Sequence, residues 1–244
     1  MREFGLIGKS LSHSFSKSYF EEKFLREGIS DATYSLFEMT DIGQFPSFLQ
    51  SHPDLSGLNV TIPYKQAIIP FLNDLSEEAA SVGAVNTICV RRVGGQIKTT
   101  GHNTDVIGFR QSLRALGQPT QALVLGTGGA AASVVHVLQG LGCRCTVVSR
   151  NPQRGLPYQS LTPEEVSVNL LIVNCTPVGT YPNICEKPDI PYEGITARHC
   201  LYDLVYNPAV TAFLQEGLSR GAQAINGLNM LHIQADAAWQ LWNS

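Results

Sequence analysis

Apolar positions along this chain fall into short runs of strand length, separated by stretches with helical spacing, and that alternation predicts a mixed α/β protein. Phe4–Gly8 and Ala32–Glu38 read as strands, with Gly57–Ile62 a third that Pro63 ends. Ser18-Tyr-Phe-Glu21 has the pattern of a capping box opening a helix that stops at Gly28, and Asp41–Gln50 reads as a second helix. Lys65–Leu72 and Ser76–Val82 are short helices leading to a turn at Gly83–Thr87. Val85–Arg92 and Gln96–Thr99, joined through Val93-Gly-Gly95, form a β-hairpin.

After Asp105 the alternation becomes more regular. Gly108–Leu116 is helical and Gly117-Gln-Pro119 breaks it. The apolar strand Ala122–Leu125 runs into a Gly-rich turn, a small-residue helix at Ala130–Leu141 and a strand at Arg144–Val148. Thr162-Pro163-Glu164-Glu165 combines an N-cap, a first-turn proline and a box glutamate. Leu170–Asn174 and Cys200–Leu204 are further strands, and Asn207-Pro208 opens a helix to about Leu218. Gln223–Ile225 is a last strand before a helix from Met230 to Trp242. Strands alternating with helices predict mostly parallel sheets, without internal repeats.

Composition narrows the function classes. The 244 residues are 43% hydrophobic and 15% charged with a formal net charge of −3, enough core for one large domain or two modest ones. That balance excludes a disordered chain and a strongly basic nucleic-acid binder. No apolar run approaches the ~20 residues of a membrane helix. The start, MREFGLIGKS, meets polar residues too early for a secretory leader, so a cytoplasmic location is expected. Cysteines at 89, 143, 145, 175, 185 and 200 have neither CxxC nor zinc spacing; they read as buried free thiols, with no metal expected.

Gly126-Thr127-Gly128-Gly129-Ala130-Ala131 follows a strand and precedes a helix, the context that makes a glycine string a dinucleotide turn. The first glycine permits the tight turn, the second lets the backbone approach a pyrophosphate, and the helix N-terminus offers N–H groups to the anion. The next strand ends Val147-Val148-Ser149-Arg150, with Arg154 nearby and no acid. A carboxylate there would hold a ribose 2′-hydroxyl, whereas a guanidinium binds a 2′-phosphate through two contacts, so NADP is favoured over NAD. The plainer alternative is a solvated arginine at a strand end.

The first half carries polar clusters that composition does not explain. Ser12-His13-Ser14-Phe15-Ser16 offers alternating hydroxyls. Asn59 and Thr61 share one strand face, with Lys65 just beyond. Asn86 in Gly83–Thr87 and Asp105 in Gly101–Asp105 add an amide and a carboxylate. Taken singly, each could satisfy a turn, cap a helix or carry surface charge. Together they suit a small polyhydroxylated ligand, which needs many directed hydrogen bonds.

At these residues the chain resembles the shikimate dehydrogenase family, along nearly its whole length and in order. The family's glycine and HSxS are matched by Gly8 and His13-Ser14-Phe15-Ser16, NVTxPxK by Asn59–Lys65, GAVNT by Gly83–Thr87, and NTD by Asn103–Asp105. GxGGA is Gly126–Ala130, NxTPxG is Asn174–Gly179, YDxxYxP is Tyr202–Pro208, and GLxMLxxQA is Gly227–Ala235. The resemblance implies two domains with the active site in the cleft between them. Residues 1–105 with 226–244 would bind substrate, and residues 106–225 would form a Rossmann-type NADP domain. It implies reversible NADPH-dependent reduction of 3-dehydroshikimate to shikimate, on the route to chorismate and aromatic amino acids.

Carried over motif by motif, Lys65 and Asp105 form the catalytic pair. Ser14 and Ser16 bind the substrate carboxylate with help from Tyr206, while Asn59, Thr61, Lys65, Asn86, Asp105 and Gln234 bind ring hydroxyls. Gly126, Thr127, Gly128, Gly129 and Ala130 approach the pyrophosphate, and Ser149, Arg150 and Arg154 surround the 2′-phosphate. Thr176, Pro177, Val178, Leu204, Gly227 and Met230 line the nicotinamide side. This chain departs from the family in having Lys17 where a proline is usual, Ser149-Arg150-Asn151 for NRT, and a short Arg154–Glu165 stretch. It also stops soon after Trp242, so a final helix common in relatives is expected to be absent. A quinate or dual quinate/shikimate dehydrogenase shares nearly every motif. A non-catalytic NADP-binding sensor would be expected to lose Lys65 or Asp105, and both are present. A monomer or homodimer is expected, without nucleic-acid or membrane partners.

Overall fold

In a computed structural model, which describes residues 1–11, 14–116 and 118–244, strand β1 (Arg2–Gly8) has its last five residues buried in succession. Ser12 and His13 of the first polar loop, and Gly117 of the helix break, lie outside the described residues. Burial on both faces means that β1 is an interior strand. It pairs in parallel with β2 (Ala32–Glu38) and β3 (Leu55–Val60). Strands β4 (Asp74–Leu75), β5 (Thr87–Val93) and β6 (Gln96–His102) complete a six-stranded sheet in the order β2-β1-β3-β5-β6-β4. The β3/β5 and β5/β6 pairs are antiparallel, and Gly94 and Gly95 take φ of 59° and 81° in the predicted hairpin turn.

Helices α1 (Ser16–Glu27), α2 (Phe45–Ser51), α3 (Tyr64–Ala67) and α4 (Glu77–Val82) accompany this sheet, and α5 (Asp105–Ser112) follows β6 in the chain. The capping box expected at Ser18–Glu21 does not open α1. The helix starts two residues earlier, at Ser16, whose N–H donates to Ser14 Oγ at 3.3 Å, and Ser18 turns its hydroxyl back to Phe15 O. Gly28 ends α1 in the left-handed conformation, as predicted. Ser76 caps α4 by accepting from Ala79 N.

The chain divides into two compact units, residues 1–107 with 234–244, and residues 108–233. Within the first, one core gathers around Leu58, Ile68 and Ile88, and another is aromatic, built on Phe4, Phe20, Tyr34 and Trp242. Trp242 seats against bare backbone: a Cβ added at Gly57 would stand 2.3 Å from its Nε1. That nitrogen donates to Ile88 O at 3.0 Å, so the buried indole has its partner.

The second unit contains β7 (Gln121–Leu125), α6 (Gly129–Gly140), β8 (Arg144–Ser149), β9 (Leu156–Pro157), α7 (Pro163–Val168), β10 (Leu171–Asn174), β11 (Cys200–Asp203), α8 (Ala212–Ser219) and β12 (Gln223–Asn226). Helix α9 (Leu228–Trp242) starts here and carries the chain back to the first unit. All strand pairs are parallel, in the order β12-β11-β10-β7-β8-β9. Strand order reverses between β7 and β10, the switch point at which such sheets bind ligands beyond their carboxyl ends. The Thr162/Glu165 capping box is fully formed at α7. Asn207-Pro208, expected to open α8, does not. Thr211 caps it instead, its hydroxyl accepting from Leu214 N.

All six cysteines are free; Cys89 and Cys143 are buried, but Cys185 is exposed, against the burial expected of these thiols. Among the described residues no helix is long and apolar enough to cross a membrane.

Candidate active site

The carboxyl ends of β1 and β3, the start of β5 and the start of α5 bring the polar motifs of the first unit together. Asn59 pairs with Thr87 across β3/β5, and Thr87 with His102 across β5/β6, so the motif residues sit at adjoining register positions. Lys65 lies on α3, and its Nζ reaches Asp105 Oδ2 at 2.5 Å, with the side chains 15% and 7% exposed. Asp105 opens α5, where the helix N-terminus favours a negative charge. Its other oxygen accepts from Asn86 Nδ2 at 2.9 Å.

Asn86 is itself held in one orientation. Its Oδ1 accepts from Thr104 N at 2.7 Å, which leaves Nδ2 facing Asp105, Thr104 Oγ1 and, at 3.3 Å, Gln234 Oε1. Gln234 arrives from α9, far along the sequence. Lys65, Asn86, Asp105 and Gln234 therefore form one cluster in which the ammonium is aimed by a carboxylate and the carboxylate by an amide.

Asn59 is more deeply committed to the fold than its motif implies. Its Oδ1 accepts from the Tyr34 hydroxyl at 2.8 Å, and Nδ2 donates to Asn86 O and Thr87 Oγ1 at 3.3 and 3.2 Å. With both N–H groups used, it retains only acceptor capacity. The Thr61 methyl crowds the place where a Cβ on Gly8 would stand, and Ser14 spends an acceptor site on the start of α1. Ser16 is placed to donate to the Tyr34 oxygen, and burial pushes that phenol's pKa far up, so it stays a donor. Sequence reasoning missed Tyr34. The available signal was a tyrosine on the buried side of a strand, which calls for a hydrogen-bond partner.

In the second unit the glycine turn lies at the switch point. Gly126 has φ of +110°, and a Cβ there would stand 3.1 Å from Thr176 Cγ2 in the loop after β10. Gly128 is the N-cap of α6 with no side-chain cap, and a Cβ at it would meet nothing within 4 Å. Open space before uncapped N–H groups fits a pyrophosphate. Ser149 is buried at the end of β8 and accepts from Asn151 N; Arg150 beside it is exposed. Arg154 donates to Thr127 O at 2.7 Å, bracing the turn from the side and keeping its remaining donors.

Thr176 and Val178 are tied to Asn174. Leu204 N donates to Asn174 O, and Gly227 approaches so closely that a Cβ would lie 2.2 Å from Leu204 O. Met230 is buried on α9. Pro177 lies in the same loop as Thr176, and Tyr206 belongs to this unit, after β11. No group of three or more metal-binding side chains occurs among the described residues.

Residues 6–88 match the family model described as the shikimate dehydrogenase substrate binding domain. A shikimate dehydrogenase (NADP(+)) of Caldicellulosiruptor bescii is 35% identical over 99% of this chain and 89% of its own length. The crystal structure of the Thermus thermophilus shikimate 5-dehydrogenase in complex with NADP(H) and shikimate superposes with a TM-score of 0.86 at 33% identity, covering 99% of this chain and 93% of that one. The quinate dehydrogenase of Corynebacterium glutamicum in complex with NAD gives the same TM-score at 26% identity, covering 99% and 93%.

Proposed function

This chain belongs to the shikimate dehydrogenase family, and we propose that it catalyses the reversible NADPH-dependent reduction of 3-dehydroshikimate to shikimate. The observation that carries the reading is the Lys65–Asp105 pair, 2.5 Å apart and largely withdrawn from water, with Asn86 on the second carboxylate oxygen. Bound NADPH supplies the hydride. A carbonyl oxygen gaining negative charge must be stabilised and then protonated, and the Lys65 ammonium does both. Asp105 holds that ammonium in one direction and accepts from a neighbouring substrate hydroxyl. In the oxidative direction the neutral lysine takes the proton back.

Ser14 and Ser16 receive the carboxylate, with Tyr206 assisting; Thr61, Asn86 and Gln234 bind ring hydroxyls, and Asn59 contributes as an acceptor. Gly126 to Ala130 cradle the pyrophosphate. Ser149, Arg150 and Arg154 take the 2′-phosphate, and Thr176 to Val178, Leu204, Gly227 and Met230 border the nicotinamide. Residues 1–105 with 226–244 act as the substrate domain and 106–225 as the cofactor domain. The enzyme works in the cytoplasm as a monomer or homodimer.

Shikimate with NADP is favoured over quinate with NAD because Ser14 and Ser16 both stand in the carboxylate-binding motif and Arg150 stands after β8 where an NAD site would carry an acid. The test is NADPH consumption with 3-dehydroshikimate, run beside quinate oxidation with NAD⁺ and NADP⁺. Turnover with the first pair and little with quinate supports the assignment; no NADPH oxidation, or a preference for quinate with NAD⁺, overturns it.

A further inference from the structure

Asp203 closes β11 with its carboxylate fully buried, and its hydrogen-bond donors are neutral groups from three separate segments. Oδ1 accepts from Asn174 Nδ2 at 2.9 Å and from Val205 N at 3.0 Å, while Oδ2 accepts from Thr211 Oγ1 at 2.6 Å. A buried carboxylate held by dipoles alone is costly, and it gains its place only by organising what donates to it.

What it organises is two loops at the switch point. Asn174, oriented by Asp203, uses its Oδ1 to hold Thr176 N at 3.0 Å and Thr176 Oγ1 at 2.6 Å. Thr176 Oγ1 in turn accepts from Val178 N at 3.3 Å, and Asn174 Nδ2 also reaches Val178 O at 3.4 Å. On the other side, Val205 N is fixed directly and Leu204 N binds Asn174 O at 2.9 Å. One carboxylate thus sets both the 176–178 loop, whose Thr176 stands against Gly126, and the 204–205 turn. Arg150 lies after β8, on the far side of β7 from these loops in the strand order.

We propose that Asp203 is a positioning residue for the nicotinamide half of the cofactor, acting through Asn174 on the wall formed by residues 176–178. The inference rests on the reading of this turn as an NADP site. It separates the two ends of the cofactor: the adenosine end is held without Asp203, and the nicotinamide end depends on it.

The test compares the full chain with Asp203→Ala, Asn174→Ala, the double variant and Asp203→Asn. Asp203→Ala removes the acceptor that orients Asn174, and Asn174→Ala removes the amide that holds Thr176, so each is expected to weaken NADPH binding and to lower kcat by about tenfold, while binding of 2′,5′-ADP reports the fold. Asparagine keeps an oxygen for Asn174 and Val205, so Asp203→Asn should recover most of that loss. The dissociation constant of 2′,5′-ADP and the KM for shikimate should stay within about twofold of the unmodified chain, with the double variant no worse than the weaker single one. NADPH affinity and kcat both unchanged, 2′,5′-ADP weakened as much as NADPH, or fully additive losses would each overturn the proposal. Because both binding measurements need no turnover, a chain inactive on shikimate would refute the functional reading and still leave this one decidable.

Discussion

Tyr34 and Asn59 are joined by a 2.8 Å hydrogen bond across β1, from one flanking strand to the other. The same phenol ring stacks on Phe20, with centroids 4.4 Å apart and planes 13° from parallel, so it also fixes the first turns of α1 behind Ser14 and Ser16. Tyr34→Phe keeps the stack and leaves Asn59 Oδ1 without its donor. The expected loss is about 1–3 kcal/mol of stability with a rise of about fivefold in the KM for shikimate, at unchanged KM for NADP⁺. Calorimetry and steady-state kinetics check this; equal changes in both KM values would assign the phenol to stability alone.

Lys65→Ala removes the proton donor and leaves Asp105 held by Asn86. Turnover should fall by about 10²–10⁴, the usual worth of a positioned acid or base. Far-ultraviolet dichroism and NADPH affinity should match the unmodified chain, and a variant retaining full kcat would exclude this lysine from the chemistry.

The two arginines after β8 are expected to differ. Arg150 is exposed and free to meet a 2′-phosphate, so Arg150→Ala should raise the KM for NADPH by about tenfold or more while leaving that for NADH alone. Arg154 braces Thr127 O in the pyrophosphate turn, so Arg154→Ala should weaken both cofactors. Parallel titrations with NADPH and NADH distinguish the two patterns.

Burial pushes Asp203 up to about 6, above the ordinary carboxylate value, against the opposing pull of its hydrogen bonds. The folded protein therefore binds that proton more tightly than the unfolded chain. Its stabilising share is complete below about pH 4 and is lost as pH rises through about 6. Asp203→Asn does not titrate, so its unfolding free energy relative to the parent should rise by up to about 3 kcal/mol between pH 4 and 6 and be level above that. Denaturant titrations at pH 4, 5, 6 and 7 measure the difference, and a gap constant across this range would contradict it.

Much of this could be read from local pattern. The Gly126–Ala131 turn, the Thr162/Glu165 box and the alternating strands are short-range features whose physics lies within a few residues. Lys65, Asn86 and Asp105 were visible as an unusual polar set, although their mutual distances depend on β3, β5 and β6 pairing as they do. Tyr34 was hidden because a tyrosine on an apolar strand reads as core. The start of α1 moved because Ser14, before the expected box, supplies the first acceptor. The start of α8 moved for a reason no window could hold: Thr211 caps that helix while donating to Asp203, so a carboxylate on another element selects the capping residue.

The division of the first unit into residues 1–107 and 234–244 has a consequence for the order in which the protein is made. Its six strands leave the ribosome early, but the slot over Gly57 that Trp242 fills, and the place beside Asn86 that Gln234 takes, wait for the whole second unit to be translated. A nascent chain with an open aromatic face is a natural client for holding chaperones, and release should coincide with the docking of α9.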